Sequence, residues 1–248
     1  MKLLIDIGNT NTSIAVVHGE KIQKRYFIHT SKKEVSSKTL KRLLGASLFG
    51  IDRIVIVSVV PKFSSIMKKS LKVIAPKVPI LFVGKDIKVP MKIKYKNPQE
   101  VGQDRLAVSF AAARVYGRPV LVVDFGTAVT FDLVNHKGEY EGGLIFPGFR
   151  LGLESLVQNT ALLPKIVVKR TKGLIGRDTR GSMNKGMLFG YAAMCDGIVQ
   201  MFRKKYGKKL KIAATGGDAG LVAKYSRHIN KVHPDLIFTG LNFLTRDL

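Results

Sequence analysis

The sequence predicts an α/β protein made of two copies of a β-β-β-α-β-α unit that face each other across a cleft. Three observations predict it. Short apolar, β-branched runs alternate with helix-length periodic segments along the whole chain. Two strand ends carry the same turn, Asp6-Ile7-Gly8-Asn9-Thr10 and Asp124-Phe125-Gly126-Thr127, with the second aspartate 118 positions after the first in a chain of 248 residues. Both turns lead straight into a further strand, and a third glycine turn follows at Thr215-Gly216-Gly217-Asp218. One Asp-x-Gly asks for nothing more than a turn glycine. Two at matching places, half a chain apart, indicate an internal repeat.

The elements follow in order. Residues 2–7 form a short apolar strand, 13–18 a second, and Gly19-Glu20 turns the chain into a third over 22–30, an antiparallel meander. Ser36-Ser37 caps a helix running to Leu48. The unbroken run 54–60 suits a strand covered on both faces. Over 62–75, Phe63, Ile66, Met67, Leu71 and Ile74 share one helical face, and 80–83 is a strand. A Lys- and Pro-containing connector at 85–103 leads into an alanine-rich helix over 104–116. The pattern then restarts, with strands at 120–123, 129–134 and 140–145 and a helix after Pro147-Gly148. Residues 163–182 read as irregular, 183–206 as a long helix, 210–214 as a strand, and 236–238 as a last short strand. The expected subdomains are 1–117 and 118–248.

Composition narrows the function classes. Hydrophobic residues make up 46% of the chain, enough for a proper core. The single cysteine, Cys195, excludes an internal disulfide framework and a Cys-based zinc site, and its apolar setting marks it as a core residue. The five histidines are scattered without ligand spacing. No apolar run reaches the roughly 18 residues of a membrane span, and the first acid, Asp6, comes too early for a signal peptide. A soluble cytoplasmic protein is expected. With 42 Lys and Arg against 17 Asp and Glu, the formal charge is +25, which invites an anionic partner: nucleic acid, a membrane surface or a nucleotide.

The two turns have the chemistry of phosphate loops. Gly8 and Gly126 let the backbone approach a phosphate closely. Asn9, Thr10, Asn11, Thr12 and Ser13 add amide and hydroxyl donors in the first turn, and Thr127 and Thr130 do so in the second. Asp6 and Asp124 would repel a phosphate unless a cation stood between, most often Mg²⁺. Thr215-Gly216-Gly217 would let an adenosine lie against backbone. Neither a Gly-x-x-x-x-Gly-Lys-Ser/Thr loop nor a Gly-x-Gly-x-x-Gly fingerprint is present.

The paired Asp-x-Gly turns with Thr-Gly-Gly resemble the acetate kinase, sugar kinase, heat-shock chaperone and actin superfamily, whose duplicated actin-like (ribonuclease H-like) units enclose a nucleotide cleft. Within it, Asp6-x-Gly8-Asn9-Thr10, Gly102-x-Asp104-Arg105, Asp124-x-Gly126-Thr127-Ala128, Gly142-Gly143…Pro147-Gly148 and Thr215-Gly216-Gly217 occur in the order and spacing of type III pantothenate kinases. Nearly the whole chain is covered. Gly240-Leu241 resembles the family's closing Gly-Leu, while Phe238-Thr239 before it departs from the expected acidic positions.

The resemblance implies ATP-dependent phosphorylation of pantothenate to 4'-phosphopantothenate, the first step of coenzyme A biosynthesis. It implies that residues 6–13 (Asp6, Ile7, Gly8, Asn9, Thr10, Asn11, Thr12, Ser13) and Thr127 bind ATP. Asp104 becomes the catalytic proton acceptor. Its unperturbed pKa of about 3.9 leaves it ionised at neutral pH but too weak to strip an alcohol beforehand, so it accepts the proton late in phosphoryl transfer. Tyr95, Gly102, Gln103, Asp104 and Arg105 are implied for pantothenate, with Thr179 reaching it from the other subunit of a homodimer whose active site lies at the subunit interface. Asp124 is implied as ligand of a monovalent cation (K⁺ or NH₄⁺) and Asp6 as neighbour of Mg²⁺.

Each assignment has a plainer competitor: a helix cap for Asp104, a solvated side chain for Arg105, ordinary packing for Tyr95, and a polar loop residue for Thr179. Two other functions compete with this kinase. One is a nucleic-acid-binding or transcriptional accessory protein on the same fold, prompted by the charge. The lysines are scattered without an aromatic-studded stripe, so no specific nucleic acid is expected. The other is a kinase for another small alcohol.

Overall fold

A computed structural model describes residues 1–31 and 35–246. The chain forms two compact units. The first holds 1–31, 35–91, 96–111 and 236–246, and the second 92–95 and 112–235.

In the first unit, strands β1 (Lys2–Ile7), β2 (Asn11–His18) and β3 (Lys21–His29) form the expected meander. They are followed by α1 (Ser37–Leu44), a 3₁₀ turn (Gly45–Leu48), β4 (Arg53–Ser58), α2 (Pro61–Ile74) and β5 (Ile80–Phe82). The sheet order is β3-β2-β1-β4-β5, with β4 parallel to both β1 and β5. Alternation along β1 explains its two-sided burial. Leu3, Ile5 and Ile7 pack with Leu40, Leu44, Phe63, Met67 and Leu71 of α1 and α2. Leu4 points the other way, toward Ala107, Phe238 and Leu241. Ser36 accepts the Thr39 N–H at 3.0 Å, the cap its sequence position predicts.

In the second unit, β6 (Val120–Phe125), β7 (Ala128–Val134) and β8 (Tyr140–Pro147) form a second meander, followed by α4 (Phe149–Gln158), α5 (Thr179–Tyr206), β9 (Lys211–Thr215) and α6 (Ala219–Val222). The order is β8-β7-β6-β9, with β9 parallel to β6 as β4 is to β1. The counterpart of β5 is reduced to a single parallel bridge, Ala214 to Val232. The repeat inferred from two turns is therefore a repeat of topology, and the fold is the duplicated actin-like α/β class. Cys195 lies wholly inside the second core, where burial pushes its thiol up to about 12.

Three expectations are corrected. Residues 236–238 open a helix, α7 (Leu236–Phe243), rather than forming a strand. Three apolar residues fit either period. The helix wins because it buries Leu236, Phe238 and Leu241, and because Gly240 lets its backbone meet the Ala107 carbonyl, where a Cβ would collide. α5 starts at Thr179 rather than 183, because the Asp178 carboxylate accepts the Gly181 N–H at 2.7 Å and caps it. The units do not divide at 117/118. Lys2 Nζ donates to Asn242 Oδ1 (3.2 Å) and the Thr245 carbonyl (2.9 Å), which returns the C-terminal residues to the first unit. The strip 92–95 joins the second unit through Tyr140, whose N–H donates to Lys92 O and whose carbonyl accepts from Lys94 N–H, both at 2.8 Å.

Candidate active site

Asp6 is the penultimate residue of β1, the central strand of its sheet, where its register partners are Ser13 on β2 and Val57 on β4. The next turn is tight: the Gly8 N–H donates to Asn11 O at 3.0 Å, and a Cβ on Gly8 would stand 3.1 Å from that oxygen. Asn9 and Asn11 are exposed, and Thr10 and Ser13 half-buried. Two residues of the expected ATP loop do not present their side chains. Ile7 is fully buried in the core, and its carbonyl accepts the Val59 N–H. Thr12 is fully buried too, because β2 begins at Asn11 and its pleat turns Thr12 inward, where Thr12 Oγ1 lies 3.0 Å from Thr30 Oγ1.

The Gly102-x-Asp104-Arg105 motif opens α3 (Gln103–Tyr116). Asp104 Oδ1 accepts the Arg105 N–H at 2.8 Å. Gly102 leaves room for that carboxylate oxygen, which a Cβ would push aside. The same hypothetical Cβ lies 3.7 Å from Val59, the residue that follows β4 and bonds to Ile7 at the end of β1. The next residue, Gln103, packs where a Cβ on Gly84, just after β5, would stand. The motif thus sits at the carboxyl ends of β1, β4 and β5, the edge of an α/β sheet where ligands bind. Arg105 is half-buried, with its Nη2 inside.

In the second unit Asp124 takes the place of Asp6, penultimate on the central strand and flanked by Thr130 and Thr215. Glycines crowd around it. A Cβ on Gly216, where φ is +91°, would stand 2.5 Å from Asp124 Oδ1 and 2.5 Å from the Phe125 carbonyl. The Gly148 N–H donates to Thr127 O at 3.0 Å, and a Cβ there would strike the carbonyls of Gly126 and Thr127. Gly217 faces open space. Asp218 is half-buried, which pushes its carboxyl up. Thr130, expected as a loop donor, instead gives its hydroxyl to Asp132 Oδ2 at 2.7 Å.

Tyr95 is half-buried in the second unit against Gly142, whose Cβ would stand 3.2 Å from the tyrosine ring at φ +114°. Below it, the buried Tyr140 hydroxyl donates to Asp132 Oδ1 at 2.6 Å. Lys92 and Lys94 flank Glu139 at 3.3 and 3.4 Å, and the Asn135 amide with these lysines holds its carboxyl down at about 2. Thr179 is the exposed first residue of α5.

Among the described residues no three His, Cys, Asp or Glu side chains gather as a metal cluster. Asp6 and Asp124 are single carboxylates, the pattern for a hard cation completed by waters and phosphate oxygens. Sequence reasoning missed Thr30, which bonds to the β1–β2 turn from 18 or more positions away, and the Tyr140–Asp132 pair, which takes the Thr130 hydroxyl; none of the three belongs to a motif.

The family model for type III pantothenate kinase matches residues 2–201. A type III pantothenate kinase from Myxococcus xanthus is 39% identical over 98% of this chain and 97% of its own. This chain belongs to the type III pantothenate kinase family. Type III pantothenate kinases from a Geobacillus species (38% identical, 98% of this chain and 96% of theirs) and Persephonella marina (38%, 90% of each) agree. Among solved structures, one described as a Baf family transcriptional activator from Campylobacter jejuni aligns with a TM-score of 0.62 over 99% of this chain and 98% of its own. The ethanolamine utilization protein EutJ from Carboxydothermus hydrogenoformans aligns at 0.51 over 98% of this chain and 89% of its own. At 20% and 16% identity these two speak to the fold alone. The motifs of the type III pantothenate kinase family are thus carried by an actin-like frame.

Proposed function

We propose that this protein transfers the γ-phosphoryl group of ATP to the primary hydroxyl of pantothenate, opening coenzyme A biosynthesis, with Asp104 as proton acceptor. One observation carries the assignment of roles. The Asp104 motif stands at the carboxyl ends of β1, β4 and β5, the same edge of the sheet on which Asp6 and the β1–β2 turn lie.

Asp104 aligns the hydroxyl and takes its proton as the new P–O bond forms, while the bond to the leaving ADP oxygen breaks. Arg105 and the Gly102–Gln103 backbone hold the substrate's anionic end, which a guanidinium grips in a fork. Tyr95, packed on Gly142, is assigned to pantothenate binding as the family resemblance implies. Asn9, Thr10, Asn11 and Ser13 offer donors to the phosphate chain, Gly8 lets the backbone come close to it while its own N–H is held by Asn11 O, Thr127 donates from the second turn, and the open face of Gly217 suits adenosine. Ile7 and Thr12 serve as the floor of the turn. Bound Mg²⁺ beside Asp6, and K⁺ or NH₄⁺ beside Asp124, would supply charge neutralisation. The oxygen-only donor set fits hard cations. We further propose a homodimer in which each subunit's exposed Thr179 completes its neighbour's pantothenate pocket, and a cytoplasmic location. Among the described residues, no helix is long and apolar enough to cross a membrane.

The test is ADP formation in a coupled assay with ATP, Mg²⁺, K⁺ and pantothenate, run beside pantetheine and sugars. Pantothenate-dependent ADP is expected. Background-level ADP at saturating substrate overturns the proposal, and preference for another alcohol reassigns the acceptor.

A further inference from the structure

The β1–β2 turn is held from behind by the residue that ends the β3 edge of the meander. Thr30 makes three contacts with it. Its N–H donates to the Thr10 carbonyl at 2.9 Å. Its hydroxyl donates to the Gly8 carbonyl at 2.7 Å. That uses the only proton of the Thr30 hydroxyl, so the contact with Thr12 Oγ1 at 3.0 Å has Thr12 as donor. The result is a directed chain from the Thr12 hydroxyl to the Thr30 hydroxyl to the Gly8 carbonyl. Its first member is fully buried, and each link polarises the next.

The chain settles which groups the turn offers. The carbonyls of Gly8, Thr10 and Asn11 all accept hydrogen bonds from inside the unit. A carbonyl rotated outward would meet a phosphate with like partial charge. Holding three inward leaves the outer surface of the turn to amide and hydroxyl donors. The second unit solves the same corner without a side chain: the Gly148 N–H, at the end of β8, donates to Thr127 O at 3.0 Å, the counterpart of the Thr30 N–H to Thr10. Among the described residues, this Thr12–Thr30 relay braces the turn of the first unit, which also carries Asp104.

We propose that Thr30 is a positioning residue for nucleotide binding, setting the β1–β2 turn in its phosphate-accepting form without touching ATP. This rests on the reading of that turn as a phosphate loop.

The experiment compares the full-length wild type with Thr30→Val, Thr30→Ser, Thr12→Val and Asp6→Asn. Each variant is measured for KM of ATP, KM of pantothenate, kcat, binding of a non-hydrolysable ATP analogue by calorimetry, and thermal unfolding. Thr30→Val keeps the β-branched shape and the backbone N–H but removes the relay. Losing one buried hydrogen bond and leaving the Gly8 carbonyl unsatisfied should weaken analogue binding and raise the KM for ATP about 5- to 30-fold, with the KM for pantothenate unchanged. Thr30→Ser restores the hydroxyl and should return binding to near wild type. Thr12→Val removes only the outer donor and should act in the same direction with a smaller effect, so it carries the test if Thr30→Val does not fold. A Thr30→Val enzyme that binds the analogue like wild type, while Asp6→Asn does not, overturns the Thr30 proposal and spares the turn. Equal losses for both substrates together with a lowered melting temperature also overturn it, because they mark a merely structural residue. If Asp6→Asn leaves analogue binding intact, the reading of the turn falls and the Thr30 proposal with it.

Discussion

Asp104→Asn separates catalysis from capping. Asp104 Oδ1 accepts the Arg105 N–H at 2.8 Å, and Gly102 leaves room for that oxygen. An asparagine oxygen fits the same place and keeps the contact. What changes is the second oxygen, which becomes an NH₂ group, and the charge. Loss of a negative charge in the first turn of a helix costs about 0.3–1 kcal/mol. At this chain length that lowers the melting temperature by no more than about 4 °C. Loss of the proton acceptor is a different magnitude, about 10²- to 10⁴-fold in kcat, or roughly 2.7–5.5 kcal/mol of barrier. The substitution should therefore leave the enzyme folded, with its KM for ATP near wild type, and remove nearly all turnover. The assay is ADP release at saturating ATP and pantothenate, paired with thermal unfolding. Turnover within about 10-fold of wild type would show that Asp104 is not the acceptor, since general-base contributions start at about 10²-fold. A loss of activity matched by gross destabilisation would leave it a helix cap and nothing more.

Two further outcomes can be measured. Gly216→Ala places a Cβ 2.5 Å from both Asp124 Oδ1 and the Phe125 carbonyl at φ +91°, so it should displace the Asp124 carboxylate; the half-saturating K⁺ concentration for activity should rise, and an unchanged K⁺ titration would remove Asp124 from the cation site. His233, beside the Tyr116 hydroxyl at 3.2 Å, is pushed below its ordinary 6.5 by burial, against a smaller opposing pull from Asp235. A depressed histidine stabilises the fold while both states are neutral and loses that stability as pH falls below 6.5, so thermal stability should drop from pH 7.5 to 5.5, and less so in His233→Gln.

Much of the frame was legible because it depends on local signals. The run at 54–60 is apolar but for Ser58, and its first part lies in β4 (Arg53–Ser58), with Ile54 to Val57 buried on both faces. The Phe63, Met67 and Leu71 face became the inner face of α2. The two Asp-x-Gly turns placed both central aspartates. What failed depends on contacts far away in sequence. Nothing around Leu236 announces that the following residues Gly240 and Asn242 meet Ala107 and Lys2, and an apolar triplet that fits either period reads as a strand. Nothing around Tyr95 announces the Tyr140 backbone, so the strip 92–95 was counted with the wrong unit. The start of α5 is a different failure. Asp178 is a local cap signal and was readable, but the glycines that follow it obscured the helix. The +25 charge was readable and uninformative about the site, whose members are mostly uncharged donors with a few carboxylates and one arginine.

The duplication explains why the motif set is informative where its single members are not. Each unit places an aspartate next to last on a central strand, turns tightly on a glycine, and braces that turn from the end of its third strand. That geometry is common to both copies and says only that each can approach an anion. The differences divide the labour. The first copy braces its turn with a hydroxyl relay and brings a helix N-terminus bearing Asp104 to the same strand ends. The second packs glycines at 126, 148 and 216 close to Asp124 and its turn, which brings backbone near that carboxylate. A proton acceptor requires an oriented side chain held by its own helix. A hard monovalent cation requires oxygens and little else. In the proposed assignment, the copy with the relay and the helix serves the reacting hydroxyl, and the glycine-lined copy serves the monovalent ion.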